Sequence, residues 1–204
     1  MKKLSILLVR HAESIANDLG IMLGQKENEC KHLSIKGIRQ AEDAGYKISK
    51  TEPKIDAIYS SNLARAYETA VMIGYSCEED LKVHRNTGLK EMNLGIAEEM
   101  AVKEFIKNYP KETDIWREYG YPIGIEGQED PKQLGERMYK AIQKIAKKEV
   151  NNNTICIVSH QLAITCLLIL LLNNSKTTLQ IGNCEYVHLT YDYDTDKLEI
   201  GYND

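Results

Sequence analysis

Three short apolar segments, each followed directly by polar residues, constrain the fold of this chain more than any other feature. They cover residues 4–9, 55–59 and 154–158, and each is nearly continuous and rich in β-branched residues. Such segments are typical of parallel strands that are covered on both faces. Because helical patterns alternate with them, the sequence predicts an α/β fold: a three-layer sandwich with a mostly parallel central sheet and helices on both faces.

Helix signals between these segments support the same fold. Ser34 is expected to cap one helix, and Asp130 is expected to cap a second helix that has Pro131 at its first position. A third helix is expected to carry Ser61 or Asn62 as its cap. Residues 186–191 and 197–200 are predicted to form a hairpin, which would add an antiparallel edge to the sheet.

Residues 98–128 differ from the rest of the chain. They contain Trp116, several tyrosines, Pro110 and Pro122. We expect a small helical and loop insertion here, which forms a lid over a site and gives that site a partly apolar outer pocket. With 204 residues, the chain 1–204 is predicted to be a single domain that carries this insertion.

Charge and composition restrict the classes of partner. The formal net charge is -4 and the pI is about 5.8, so no basic surface for nucleic acid or for an acidic membrane is expected. Any anionic substrate must therefore be held by a local cationic pocket. The apolar run at residues 162–172 is too short to span a bilayer. The N-terminal apolar segment ends at Arg10 after six residues, too few for a signal peptide, and we expect a cytoplasmic protein.

The five cysteines do not suggest disulfide or metal chemistry. They are odd in number, widely spaced, and contain no CxxC pair. We expect reduced thiols with a structural role.

The residues that follow the three predicted strands carry the candidate chemistry. Arg10 and His11 follow the first strand, Arg65 lies shortly after the second, and His160 follows the third. In open α/β sheets, ligands bind beyond the carboxyl ends of the strands. Two histidines and two arginines are therefore expected to converge at one edge of the sheet.

Arg65 has two interpretations when it is considered alone. A cation in the first turn of a helix opposes the helix dipole by about 0.3–1 kcal/mol. An anion bound between the helix N-terminus and the guanidinium would reverse that effect, since helix N-termini bind phosphate readily. The alternative is an ordinary solvated arginine on the surface.

Seven sequence blocks follow one another in the order of a known family. They are Arg10-His11-Ala12-Glu13-Ser14 with Asn17, residues 33–41, residues 60–70, residues 89–95, Gly127-Gln128-Glu129 with Arg137, Val158-Ser159-His160, and Asn183-Cys184. Together they cover nearly the whole chain. The chain resembles the histidine phosphatase superfamily, the phosphoglycerate mutase-like enzymes, and in particular its phosphatase-type branch.

The chain departs from the family pattern at two places. Ala12 stands where the family usually has Gly. After Gly95 the family usually has an aromatic residue and then Glu-Gly, whereas this chain has Ile96-Ala97-Glu98-Glu99. The second departure lies beside the expected catalytic acid and bears on specificity.

The resemblance implies a role for each candidate residue. His11 would attack phosphorus and form a phosphohistidine, and Glu91 would protonate the leaving alcohol and then activate water. Arg10, Arg65 and His160 would bind the phosphoryl oxygens, with Asn17 as a neutral donor. These cations supply the charge, so no metal and no cofactor is expected.

The resemblance leaves three functions open. The favoured one is a metal-independent phosphomonoester hydrolase acting on a small phosphorylated metabolite. A phosphoglycerate mutase would use the same phosphohistidine but pass the phosphate to phosphoglycerate. A module that only binds phosphorylated partners is the third. The expected partner is a small phosphorylated substrate, with no nucleic acid and no membrane, and a homodimer is one option for assembly.

Overall fold

The computed structural model describes residues 2–77, 81–174 and 180–201, which form an α/β sandwich around one six-stranded sheet. The strands are β1 Lys3–Arg10, β2 Ala57–Ser61, β3 Val83–Asn86, β4 Thr154–Ser159, β5 Tyr186–Asp192 and β6 Lys197–Ile200. The α-helices are α1 Ile15–Asp18, α2 Ile35–Thr51, α3 Ala64–Ser76, α4 Val102–Asn108, α5 Pro110–Tyr119, α6 Pro131–Lys148 and α7 Gln161–Leu172.

The sheet is mostly parallel, as predicted. Its strand order is β3-β2-β4-β1-β5-β6, and β3, β2, β4 and β1 all run in the same direction. β5 and β6 form the predicted hairpin, and β5 pairs antiparallel with β1. The three strands predicted from apolar segments, β1, β2 and β4, are therefore confirmed.

β3 was not predicted from the sequence. Its four residues, Val83–Asn86, pair with β2 at the edge of the sheet and include no buried side chain. An edge strand with exposed polar side chains lacks the apolar pattern by which buried strands are recognised.

The two faces of the sheet pack against different helices. Leu7 and Val9 of β1 face one core with Ala66 and Ala70 of α3, and α2 packs against α3. Leu8 of β1 faces the other core, which is built with α6 and α7. Successive residues of a strand point to opposite faces of the sheet, so Leu7 and Leu8 belong to different cores. Both faces of the sheet are therefore covered, as the apolar segments predicted.

Two of the predicted helix caps are confirmed and one is wrong. The Ser34 side chain accepts a hydrogen bond from the N–H of Gly37, and Asp130 accepts from the first turn of α6. The N-cap of α3, however, is Leu63, and neither Ser61 nor Asn62 caps this helix. The Ser61 hydroxyl accepts from the N–H of Leu63 over 3.2 Å and so orders the turn before the helix instead.

The run at residues 162–172 forms α7, whose first seven apolar and small residues after Gln161 are buried in the core. Within the described residues, no helix combines the length and the apolar character needed to cross a membrane. No disulfide joins the five cysteines, all of which lie in the described residues. Burial raises the pKa of the Cys156 and Cys166 thiols, which suits structural side chains.

The helices α4 and α5 lie within residues 98–128, where a lid is expected, and they are called the lid helices. Phe105 of α4 is 2% exposed, and its ring meets that of Trp116 of α5 edge to face with centroids 6.1 Å apart. Phe105 also stacks on Tyr109 with centroids 5.2 Å apart. These aromatic contacts fix the two lid helices to each other.

Candidate active site

The carboxyl ends of three neighbouring parallel strands form the floor of a cavity. β2, β4 and β1 are adjacent, and they end at Ser61, Ser159 and Arg10. The cavity has a volume of about 360 Å³. The structure brings together all six residues considered for the site: Arg10, His11, Asn17, Arg65 and Glu91, which line the cavity, and His160, whose ring contacts His11.

His11 is 4% exposed, and its hydrogen bonds define its tautomer. Its Nδ1 lies 2.7 Å from the carbonyl oxygen of Ala12, which can only accept, so Nδ1 carries the proton. Arg65 donates from Nε to His11 Nε2 over 3.2 Å, which requires a lone pair on Nε2. Burial lowers the pKa of His11 well below its ordinary value, and the charges of Arg65 and Arg10 lower it further. His11 is therefore a neutral imidazole with an unprotonated Nε2.

The two arginines are held by backbone carbonyls and keep unused donors. Arg65 donates from Nη2 to the carbonyl of Gly24 over 2.8 Å, and Arg10 donates from Nη1 to the carbonyl of Ile181 over 2.7 Å. Among the described residues, Arg65 Nη1 and Arg10 Nε are buried without a hydrogen-bond partner. Burial lowers the pKa of both groups, yet a guanidinium remains charged in proteins. Buried charged donors without a partner indicate a place for an anion.

His160 is fully buried beside His11. The two rings meet edge to face with centroids 5.0 Å apart. Neither ring nitrogen of His160 has a partner within the described part of the chain. Burial lowers its pKa well below the ordinary value, followed by the charge of Arg65 and by His11. His160 thus offers one donor and one acceptor to a ligand at the same end of the cavity.

Glu91 is 8% exposed, and its carboxyl group lies at the N-terminus of α7. Its oxygens accept hydrogen bonds from the N–H groups of Met92 at 2.8 Å, Ala163 at 3.0 Å and Leu162 at 3.3 Å. Burial raises the pKa of Glu91, although these backbone donors and Arg65 act in the opposite direction. A buried carboxyl with a raised pKa is suited to give up and take back a proton.

Asn17 lines the cavity from α1 and also completes the capping box of this short helix, whose N-cap is Ser14. Its side-chain oxygen accepts from the N–H of Ser14 over 3.1 Å, and Ser14 Oγ accepts from the N–H of Asn17 over 3.2 Å. Because the side-chain oxygen is used in the cap, only the amide NH₂ is available as a donor to a ligand.

An acidic side chain of the protein occupies the helix N-terminus next to Arg65. Glu27 accepts a hydrogen bond from the N–H of Ala64, the first residue of α3, over 3.0 Å. Arg65 follows directly and is 4% exposed, which excludes the alternative of a solvated surface arginine. The carboxylate of Glu27 therefore supplies negative charge at the N-terminus of α3. This charge offsets the unfavourable position of the Arg65 cation in the first turn of the helix.

Several residues that position the site were not predicted as site residues. Glu98 accepts hydrogen bonds from the N–H of Gln25 at 2.7 Å and from the N–H of Leu94 at 3.3 Å. Gln25 in turn donates to the carbonyl of Glu91 over 2.8 Å. Glu98 thus fixes the loop whose Gly24 carbonyl accepts from Arg65. A signal existed in the sequence, because Glu98 belongs to the segment that differs from the family pattern.

Arg137 holds the segment that carries Glu91. Its guanidinium donates to the carbonyls of Gly88 at 2.9 Å, Lys90 at 3.1 Å and Glu91 at 3.3 Å. Glu129 pairs with it at 2.8 and 2.9 Å. Glu129 and Arg137, which belong to the same sequence block, therefore form an ion pair, and this pair supports the backbone of Glu91, the candidate acid.

Asn183 holds the backbone of His11 in a similar way. Its amide donates to the His11 carbonyl over 2.9 Å. The neighbouring N–H of Cys184 donates to the Arg10 carbonyl over 3.0 Å. The last block of the sequence pattern thus holds the first one in place.

The lid contributes a different surface to the cavity. Val102, Phe105 and Ile106 of α4 and Trp116 of α5 line it together with Arg117. Within the described ranges 2–77, 81–174 and 180–201, no group of three or more His, Cys, Asp or Glu side chains is arranged to hold a metal ion.

The fold and the site agree with the class of protein that the sequence blocks indicated. The chain belongs to the histidine phosphatase superfamily, branch 1, whose family model matches residues 6–203. The resemblance predicted from the sequence is thus confirmed, and relatives in this superfamily are named as phosphatases or as phosphoglycerate mutases.

Similar proteins of both kinds are known. Phosphoserine phosphatase 1 of Hydrogenobacter thermophilus is 30% identical over 155 residues, which are 76% of this chain and 70% of that protein. A protein of Yersinia pestis named "probable phosphoglycerate mutase GpmB" is 29% identical over 196 residues, 92% of this chain and 85% of its own.

Solved structures show the same fold. A mycobacterial glucosyl-3-phosphoglycerate phosphatase in complex with VO₃ superposes with a TM-score of 0.82 and 24% identity, over 100% of this chain and 98% of the other. A phosphoserine phosphatase variant of Entamoeba histolytica in complex with phosphoserine gives a TM-score of 0.74 at 26% identity, over 97% and 95% of the chains.

Proposed function

We propose that this protein is a metal-independent phosphomonoester hydrolase that acts through a phosphohistidine on His11. The observation that carries the proposal is the set of unpaired buried donors around a neutral, buried imidazole. Among the residues that the structure describes, Arg65 Nη1, Arg10 Nε and the ring nitrogens of His160 have no hydrogen-bond partner, while His11 presents an unprotonated Nε2. A phosphoryl group placed against Nε2 would satisfy these donors with its oxygens.

The first step is an in-line displacement on phosphorus. The Nε2–P bond forms as the bond from phosphorus to the alcohol oxygen breaks, and the alcohol oxygen takes a proton from Glu91. Arg10, Arg65 and His160 bind the oxygens of the transferring group. The two arginines supply the positive charge that a metal ion provides in other phosphoryl-transfer enzymes, and His160 adds a neutral donor.

The second step returns His11 and Glu91 to their starting states. The Glu91 carboxylate takes a proton from water, whose oxygen bonds to phosphorus as the Nε2–P bond breaks. Inorganic phosphate leaves. Both steps use Glu91 on the same side of the cavity, where the backbone N–H groups of Met92, Leu162 and Ala163 hold its carboxyl group in place.

The second candidate is a phosphoglycerate mutase, which the name of the Yersinia relative favours. The two functions differ in the acceptor of the phosphoryl group: water for the phosphatase, phosphoglycerate for the mutase. A mutase must keep its phosphoenzyme from water until the acceptor arrives.

Labelling with a ³²P-phosphomonoester tests both the mechanism and the choice of acceptor. The wild-type protein should acquire a label and lose it to water within seconds to minutes without any added acceptor. His11→Ala should abolish labelling and turnover, whereas His84→Ala, which replaces an exposed histidine, should retain both. A long-lived label that only 2- or 3-phosphoglycerate removes would establish the mutase. Absence of a label together with an active His11→Ala variant would refute the phosphohistidine.

A further inference from the structure

The elements that line the cavity divide it into two chemically different parts. The strand ends contribute the cations and the two candidate catalytic groups already described. The remaining wall comes from the lid helices and from the loops before them. Most of its side chains are apolar, among them Leu23, Leu94, Val102, Phe105, Ile106 and Trp116, and α5 adds Thr113 and Arg117.

Part of this apolar wall is exposed to water. Val102 and Ile106 of α4 are each 41% exposed and line the cavity. Phe105 between them is 2% exposed and anchors the helix to the core. The exposed apolar surface therefore faces the space above the phosphate site on a helix that is well packed. Such surface is stabilised when an apolar group of a ligand covers it.

Charge in the outer part of the cavity argues against a second acidic group on the substrate. Besides Arg10 and Arg65, the cation that lines the cavity within the described residues is Arg117. Its Nη1 donates to Asp114 over 3.2 Å, and its side chain is 66% exposed. A substrate carboxylate would thus compete with Asp114 and with water for this arginine, and it would also be placed against the apolar wall, where an unpaired charge is unfavourable.

We infer that the preferred substrates are phosphomonoesters whose organic part is apolar and uncharged, such as alkyl or aryl phosphates. This inference rests on the proposed function and specifies its substrate class. It distinguishes the chain from the relatives whose names refer to phosphoserine or phosphoglycerate, since those phosphomonoesters carry a charged group close to the phosphate. The wall of α4 acts as the binding surface for the alcohol part.

A series of phosphates in which every leaving group is a primary alkoxide tests the inference. Ethyl, butyl and hexyl phosphate are compared with glycerol 3-phosphate, phosphoserine and 3-phosphoglycerate. For the alkyl series, kcat/KM should rise by about fourfold for each methylene that becomes fully buried. Phosphoserine and 3-phosphoglycerate should both fall below butyl phosphate. A flat alkyl series, or a charged ester as the best substrate, overturns the inference while leaving the phosphatase intact.

A matched pair of variants assigns the effect to α4. Val102→Ser removes an apolar side chain that is 41% exposed in the cavity, and Val150→Ser removes one that is 42% exposed elsewhere. Val102→Ser should reduce the dependence of kcat/KM on chain length and leave ethyl phosphate least affected, whereas Val150→Ser should leave the series as in wild type. Equal slopes in both variants overturn the inference. If no ester is hydrolysed and no phosphoenzyme forms, the proposed function fails, and the inference fails with it.

Discussion

At the scale of single residues, the site is defined by two pKa shifts in opposite directions. Burial lowers the pKa of His11, which favours the neutral nucleophile, and raises the pKa of Glu91, which favours the protonated acid. Both shifts have the same main cause, because burial disfavours whichever form of a group is charged. Burial of both side chains thus prepares them for the first step of phosphoryl transfer.

These shifts predict an acidic pH optimum. The neutral form of His11 is lost only when the pH falls below its lowered pKa, so activity should persist at pH values below the ordinary histidine pKa of about 6.5. The acid form of Glu91 is lost as the pH rises through its raised pKa, so kcat/KM should decline on the alkaline side. The measurement is the pH profile of kcat/KM for an alkyl phosphate.

The variant Glu91→Gln separates the ionisation of Glu91 from that of the substrate phosphate in the pH profile. It should lower kcat by roughly 10²- to 10⁴-fold for alkyl esters and remove the part of the alkaline decline that belongs to Glu91. The second ionisation of the phosphate, near pH 6, remains in both proteins and serves as the internal reference. An alkaline limb of the same shape in both proteins would show that Glu91 is not the acid.

Arg65 is expected to be sensitive to a conservative change. Arg65→Lys keeps the charge but loses the planar set of donors that joins Gly24, His11 Nε2 and the ligand. Losing one charge-assisted hydrogen bond corresponds to roughly a ten- to hundredfold decrease in kcat/KM. Inhibition by vanadate should weaken in parallel. Arg39→Lys, on the exposed face of α2, is the matched control, and wild-type kinetics in both variants would contradict the role.

At the scale of elements, the segment between Glu91 and the lid contains two residues with left-handed backbone. Gly95 has φ +57°, and a Cβ there would lie 1.9 Å from the carbonyl oxygen of Glu126, so glycine is required. Glu99 has φ +67° without being glycine. It belongs to the Ile96-Ala97-Glu98-Glu99 segment that departs from the family pattern, and glycine adopts this conformation without strain.

Glu99→Gly should therefore stabilise the protein. Removing the strain of a left-handed non-glycine residue contributes about 1–2 kcal/mol, from which the greater freedom of glycine in the unfolded chain subtracts about 0.4–1 kcal/mol. Glu99→Ala is the control, since it also loses the hydrogen bond from Asn28 but keeps the strain. Urea unfolding of the three proteins gives the comparison. A Gly variant no more stable than the Ala variant would show that the turn carries little strain.

At the scale of the whole molecule, a chain with a net charge of -4 places two arginines in its cavity where the strands end. Arg10 and Arg65 are held against backbone carbonyls in the floor of the cavity, and the buried ring of His160 contacts that of His11. Local geometry, and not the overall field, therefore determines where an anion is expected to bind.

This arrangement predicts activity that is independent of metal ions. The charges that stabilise the transferring phosphoryl group come from the two guanidinium groups, so hydrolysis of an aryl phosphate should be unchanged in excess EDTA. The protein is assayed after dialysis against EDTA and again after addition of Mg²⁺ or Zn²⁺. Activity that disappears with the chelator and returns with a metal ion would refute the mechanism.

The sequence by itself determined the central strands and two helix caps, and it named the six candidate residues that the structure brings together at the strand ends. Strand segments and caps such as Ser34 and Asp130 are local signals, because the residues that carry them lie within a few positions of one another. The order of the blocks around His11 and Arg65 identified the family for the same reason. Parallel strand ends then had to meet at one edge of the sheet.

Only the tertiary structure decided how these residues are held and what surrounds them. Asn183 binds the carbonyl of His11 from 172 positions away, and Arg137 binds that of Glu91 from 46 positions away. The capping of α3 was predicted wrongly because Glu27, distant in sequence, supplies the acceptor. The tautomer of His11, the pKa shifts and the apolar wall of the lid all depend on burial. Burial is a property of the packed chain, which local sequence patterns do not contain.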